Sequence, residues 1–210
     1  MHAFCHTVPQ TWHQMGVTLS AASSLAWWAQ IAGLSVADLL AELPPAVARP
    51  SPVVFLPYLS GDRTPHNDAD IRGVFAGLSH DTTRADMTQA VLEGVACSFR
   101  DVVDVLAQAG SVMTQADVIG GGSRSALWVS ILSTVTGLSL HRLAHGEVDG
   151  AFGAARLARI AVTGESVAAV CLPPQRRETV TPDPALGDAY HARQARYRGL
   201  YPAMRSLETV

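Results

Sequence analysis

The residues best suited to hold a ligand are Gly120-Gly121-Gly122, followed by Ser123-Arg124-Ser125. They stand between a short apolar run, Val118-Ile119, and a longer one beginning Ala126-Leu127-Trp128-Val129. That pattern predicts a strand, a tight turn and a helix. Glycines let the chain turn sharply and let a flat ligand approach the backbone without meeting a Cβ. The polar triplet falls where a helix start leaves amide groups free, a setting that suits the phosphates or ribose of a nucleotide. Such turns also occur with no ligand. The spacing is not a dinucleotide fingerprint, because Ser125 stands where the last glycine of G-x-G-x-x-G is needed. Nor is it a P-loop, since no Gly-Lys-Ser/Thr follows.

Other chemistry-bearing residues are sparser. His2/His6 and His141/His145 are each spaced four apart, a spacing that faces two ligands together only on a helix. Both pairs lie in or beside predicted strands, and no third ligand is evident, so no metal site is assigned. Asp62 and Arg63, in a long polar loop from Pro57 to Pro65, and Glu147 and Asp149 are the charged residues that could approach a cleft. None is assigned a catalytic role.

The elements that must position these groups follow from periodicity. Residues 2–8 and 15–19 read as two strands around a turn at Pro9-Gln10. An apolar helix carrying Leu25, Trp27, Trp28 and Ile31 is closed by Gly33, and a short helix runs from about Val36 to Glu42. Val53–Leu56 reads as a buried strand, and Gly73–Leu78 as another with close backbone approach. Thr83 and Asp86 start a long helix ending near Ala109, with Met87, Val91, Val95, Phe99, Val102 and Leu106 on one core-facing stripe. Glu93-Gly94 is off that stripe and is expected at a cleft. The helix after the glycine turn ends at Gly137, and a strand follows over Leu138–Leu143. The small residues around Gly153 would let a helix pack closely on a neighbour. After the Pro173-Pro174 break, a helix over about Leu186–Leu200 is expected across the surface. Strands followed by alternating helices predict an α/β fold, a mixed sheet with helices on both faces.

Composition sets bounds. The 210 residues are 48% hydrophobic and 16% charged, an ordinary globular balance. A net charge of −3 with 15 scattered Lys and Arg residues gives no nucleic-acid footprint. Cys5, Cys97 and Cys171, odd in number and far apart, suit free thiols in a reducing cytoplasm. No apolar run reaches the roughly 18 residues of a membrane span. The first ten residues lack the basic and apolar regions of a secretory signal.

Longer patterns carry a resemblance. Gly73-Val74-Phe75-Ala76-Gly77-Leu78, then seven residues, then Asp86-Met87-Thr88-Gln89-Ala90-Val91-Leu92-Glu93 resembles the second signature of the FGGY carbohydrate kinases. Phe55–Asn67, Gly120–Ser125, Gly153–Ala158 and His2–His6 are similar to the xylulokinase branch of that family, in unbroken order along the chain. The resemblance implies an actin-like ATPase, ribonuclease-H-like domain, with residues 1–205 as the C-terminal, adenosine-binding domain. It implies ATP or ADP bound at Gly120, Gly121, Gly122 and Ser125, with Ala22 and Ala26 on the opposite wall. Relatives with an asparagine at the Ser125 position reach further toward adenine than a hydroxyl does. It also implies that Mg²⁺, the catalytic base, the phosphate loops and the sugar site belong mainly to an N-terminal region absent from this chain. The 210 residues alone are then expected to lack kinase activity. Ribulose, gluconate or another polyol stays open as the sugar, as does a non-catalytic nucleotide-binding or assembly module. A homodimer is compatible with either reading.

Overall fold

A 25-residue helix, α3 (Arg84–Gln108), is the axis on which the other elements pack. The computed structural model describes residues 1–144 and 150–208. The start of α3 is fixed by a capping box. Thr83 Oγ1 accepts from the Asp86 amide, and the Asp86 carboxylate accepts from the Thr83 amide. Val91, Val95, Val102 and Leu106 are buried, as the stripe predicts. Met87 is half-buried, and Phe99 is 37% exposed, because α3 borders an open cleft there. Glu93 and Gly94 do not face a cleft. They are buried in the core, since the packing on α3 wraps beyond a single stripe.

Before α3 come two hairpins and two helices. β1 (His2–Cys5) pairs antiparallel with β2 (Trp12–Met15), so the second strand starts earlier than residues 15–19. α1 (Ala22–Ala32) ends at Gly33, whose φ of 68° is the left-handed cap the sequence announces. α2 (Val36–Ala41) begins with its own capping box, Ser35 and Asp38. β3 (Val54–Leu56), fully buried, pairs antiparallel with β4 (Val74–Ala76). The loop between them is not solvated throughout. Asp62 is buried, its Oδ2 accepting from the His66 amide at 2.7 Å, and burial pushes its carboxyl pKa up.

The second half holds the mixed sheet. β5 (Gln115–Val118) lies parallel to β6 (Ser139–Leu143), which pairs antiparallel with β7 (Arg176–Val180). Between β5 and β6, α4 (Ala126–Thr136) forms the crossover that joins these parallel neighbours and packs between this sheet and α3. Among the described residues the strands thus form three separate sheets, and the mixed one is β5–β6–β7. β7 and the short α6 (Val167–Val170) lie on either side of the proline pair and carry no sequence periodicity. α5 (Gly150–Thr163) has no buried residue, and nothing approaches within 4 Å of a Cβ built at Gly153. Among the described residues, no neighbour packs closely on Gly153. α7 (Gly187–Glu208) is longer than expected and does not merely cross the surface. Tyr190, Arg193, Gln194 and Tyr197 sink into the core against α3 and β3.

Trp28 and Trp128 are core residues, each with its indole N–H satisfied: Trp28 donates to Thr88 Oγ1 at 3.0 Å and Trp128 to the Leu92 carbonyl at 3.2 Å. All three cysteines are free thiols. Among the described residues no helix is long and apolar enough to cross a membrane.

Gly94 shows how tightly α3 meets β3. A Cβ there would lie 2.3 Å from the Phe55 carbonyl oxygen. Glycine-to-alanine in a helix interior ordinarily stabilises by about 1 kcal/mol. Gly94→Ala is expected instead to destabilise by about 1–3 kcal/mol through overpacking, read as a lower midpoint in urea unfolding.

Candidate functional site

The glycine turn begins where β5 ends. Gly120 has φ +81° and ψ −177°, a conformation that only glycine adopts readily. A 3₁₀ turn, Gly121–Arg124, follows. Ser123 closes it: its amide and its Oγ both donate to the Gly120 carbonyl, at 3.2 and 2.7 Å. Ser125 then caps α4, its Oγ accepting from the Trp128 amide at 3.2 Å. The predicted strand, turn and helix are all present, with a 3₁₀ turn inserted before the helix proper.

The turn borders a cleft of about 470 Å³. One wall is the start of α1, with Ala21 and Ala22. The floor is α3, through Val95, Phe99 and Val102, and β5 supplies the edge. Gly120, Gly121, Gly122 and Ala22 are therefore brought together across more than ninety residues of sequence. Ser125 and Ala26 are not part of this lining. Ser125 is turned toward α4, and Ala26 is exposed one turn along α1 from Ala22. A Cβ added at Gly120 or Gly121 would meet nothing within 4 Å, so the backbone there faces open space. Gly122 is different, because the Trp128 ring would lie 3.2 Å from its Cβ.

The lining is almost wholly apolar. Its one carboxylate, Asp117, is bound to Arg176 Nε at 2.9 Å. The first amides of a 3₁₀ turn have no partner within it, which makes the glycine face the polar end of an apolar slot. Such a slot can hold a flat ring and present amides to an anion. Among the described residues the lining brings no nucleophile and base together.

The other sequence candidates lie elsewhere. Asp62 and the exposed Arg63 do not line the cleft. Glu147, Asp149 and His145 lie outside the described residues. His141 is a buried histidine with both ring nitrogens engaged, by Thr179 Oγ1 and Gln115 Oε1 at 2.8 Å each. His6 sits at the hairpin turn, its Nδ1 accepting from the Val8 amide at 2.9 Å. Among the described residues no three His, Cys, Asp or Glu side chains converge as metal ligands. Sequence reasoning missed Phe99 and Asp117 as cleft residues. Only the packing of α3 beside β5 exposes them to it.

The profile for the FGGY family of carbohydrate kinases, C-terminal domain, matches residues 1–162. A xylulose kinase of Escherichia coli is 43% identical over 209 residues, which is 99% of this chain and 43% of that protein. A xylulose kinase of Klebsiella pneumoniae is 45% identical over 167 residues, covering 79% of this chain and 34% of that protein. Among solved structures, a kinase from Brucella ovis titled a xyloylose kinase superposes with a TM-score of 0.92 at 48% identity, over 98% of this chain and 43% of that one. The xylulose kinase of Rhodospirillum rubrum gives a TM-score of 0.80 at 30% identity, over 98% of this chain and 42% of that one. The chain thus spans less than half the length of these relatives.

The turn makes two neighbouring glycines unequal. Gly120→Ala is expected to lose about 1–2 kcal/mol, since a Cβ is penalised at positive φ. Gly121→Ala should stay within about 0.5 kcal/mol of wild type. Parallel urea melts of the two variants check the difference.

Proposed function

This chain belongs to the FGGY family of carbohydrate kinases, and from that premise we propose that it is the adenosine-binding domain of an ATP-dependent sugar kinase whose acceptor is D-xylulose. The domain assignment covers residues 1–205, with the actin-like ATPase, ribonuclease-H-like architecture of two-domain kinases. The observation that carries the reading is the open face of Gly120-Gly121 across a cleft from Ala22, in a volume of about 470 Å³. That volume lies in the usual range for small-molecule sites.

In this reading the purine lies in the apolar slot between Ala22 and the glycine turn, over the α3 floor. Gly120, Gly121 and Gly122 let the backbone meet the nucleotide directly, because no side chain intervenes. Ala26 extends the α1 wall, four residues from Ala22 and on the same helix face. Ser125 contributes at one remove, by fixing the first turn of α4 behind the glycines. ATP supplies the γ-phosphoryl group for transfer to a sugar hydroxyl. Mg²⁺ ordinarily takes one or two carboxylates, substrate phosphates and several waters. Asp117, the carboxylate among the described lining residues, is paired with Arg176, so Mg²⁺ would be held by the phosphates and by groups outside this lining.

The division of labour follows from what phosphoryl transfer requires. Attacking and leaving oxygens must be held in line and the developing charge stabilised. The described residues hold one end of the nucleotide and exclude water from its ring. Positioning of the sugar hydroxyl, and removal of its proton, fall to the remainder of the kinase.

Two measurements test the proposal. Calorimetric titration of the chain with MgADP should give binding, and Gly121→Val, which fills the open face without strain, should weaken it at least about tenfold, or about 1.4 kcal/mol. In a coupled assay, the full-length kinase should form ADP with D-xylulose faster than with ribulose, gluconate or glycerol. Equal affinity in Gly121→Val would remove the glycine turn from the site. A preference for another sugar would reassign the acceptor and leave the domain assignment standing.

A further inference from the structure

We propose that Arg142, on β6, is a positioning residue for nucleotide binding: its guanidinium clamps the carbonyl side of the glycine turn so that the opposite, amide side stays presented to the cleft. This rests on the nucleotide-binding reading of Gly120–Gly122. Sheet register sets the clamp. Arg142 lies opposite Val118, the last residue of β5 before the turn, and on its other side opposite Glu178 of β7. From there Nε donates to the Ser123 carbonyl at 2.9 Å and a terminal nitrogen to the Arg124 carbonyl at 3.1 Å. The other terminal nitrogen donates to Glu178 Oε2 at 2.8 Å. One planar side chain thus ties the end of the 3₁₀ turn to two neighbouring strands. Its side chain is only 13% exposed.

The turn needs such a tie. Its first three residues are glycines, with the largest conformational freedom of any residue, and Gly120 and Gly121 have no neighbour within Cβ contact range. Without an external restraint, the order required to grip a ligand would have to be supplied at binding, at the expense of affinity. The fork geometry matters. Arginine presents several fixed donors in one plane, whereas a lysine ammonium is a point charge on a flexible stem and cannot reproduce all three contacts. Arg142 does not itself line the cleft; it reaches the lining only from behind, through Ser123 and Val118, so it acts through the turn and not on the nucleotide itself.

The test titrates the chain with MgADP as wild type, Arg142→Met, Arg142→Lys and Glu178→Gln, with Gly121→Val as the reference for the site. Amide hydrogen exchange is followed in the ligand-free proteins. Loss of a charge-assisted hydrogen-bond set predicts about tenfold weaker binding in Arg142→Met, an intermediate value for Arg142→Lys, and a smaller loss for Glu178→Gln. Residues 120–124 should exchange faster in Arg142→Met while α4 stays protected, and the melting temperature should fall by no more than about 4 °C. A general structural role would instead speed exchange across β5, β6 and α4 together, and that result overturns the proposal. So does wild-type affinity in Arg142→Met while Gly121→Val is weakened, which leaves the nucleotide site intact. Absence of MgADP binding in wild type overturns the nucleotide reading and the clamp with it. Should Arg142→Met fail to fold, Glu178→Gln decides: unchanged affinity and unchanged exchange at residues 120–124 overturn the clamp.

Discussion

Glu93 is a carboxylate in the middle of a helix with only 1% of its surface exposed, and its surroundings are built to answer it. Gln89 Nε2 donates to it at 2.7 Å, the Ser51 amide at 3.1 and 3.2 Å, and Tyr190 OH at 3.1 Å. Arg193, itself buried, stands 3.5 Å away and donates separately to the Val53 carbonyl at 2.8 Å. Burial pushes the Glu93 carboxyl above its ordinary pKa, and the arginine and these donors pull it back. Each buried partner left unmade would cost about 1–3 kcal/mol, so the donors and the acceptor must arrive together. That condition joins α3, the segment entering β3, and α7 into one unit. About two turns along, Asp101 repeats the arrangement. It accepts from Gln194 Nε2 at 2.8 Å and Arg198 Nε at 2.7 Å, with burial again raising its carboxyl pKa.

The cleft depends on this unit. α7 and β3 pack on α3, as do α1 and α4, and the β5–β6–β7 sheet lies beyond α4. Val95, Phe99 and Val102 then become a floor instead of sealed core, and the glycine turn falls beside them. Trp128 bridges the two regions. Its indole donates into α3, and its ring packs under Gly122. The same helix that is locked by charge on one face offers an apolar, water-excluding surface on the other. A slot of that kind favours a flat ring and supplies polarity only where backbone amides emerge.

Much of this was legible locally. The Thr83–Asp86 pair and the glycines Gly33 and Gly137 mark helix ends through near neighbours, and each boundary falls where those residues put it. The glycine turn could be read for the same reason, since a strand, three glycines and a capping serine are contiguous. Glu93, by contrast, looked like an off-stripe charge suited to a cleft, because its partners Ser51, Tyr190 and Arg193 are distant in sequence. α7 looked peripheral for a similar reason: its tyrosines and arginines read as surface until their acidic partners on α3 are known. Ala22 and Ala26 came from family resemblance, and nothing in their own chemistry singles them out.

The sequence by itself determined the helices, their caps, the glycine turn and the family, because those rest on contiguous residues and on long ordered patterns. Tertiary structure decided which faces those elements bury. It placed Glu93 inside, opened Phe99 to the cleft, separated the strands into three sheets and brought Arg142 against the carbonyls of Ser123 and Arg124. The reason is physical. Backbone conformation is set by near neighbours, whereas burial, charge pairing and strand register are set by groups many residues away, and only the packed chain brings those together.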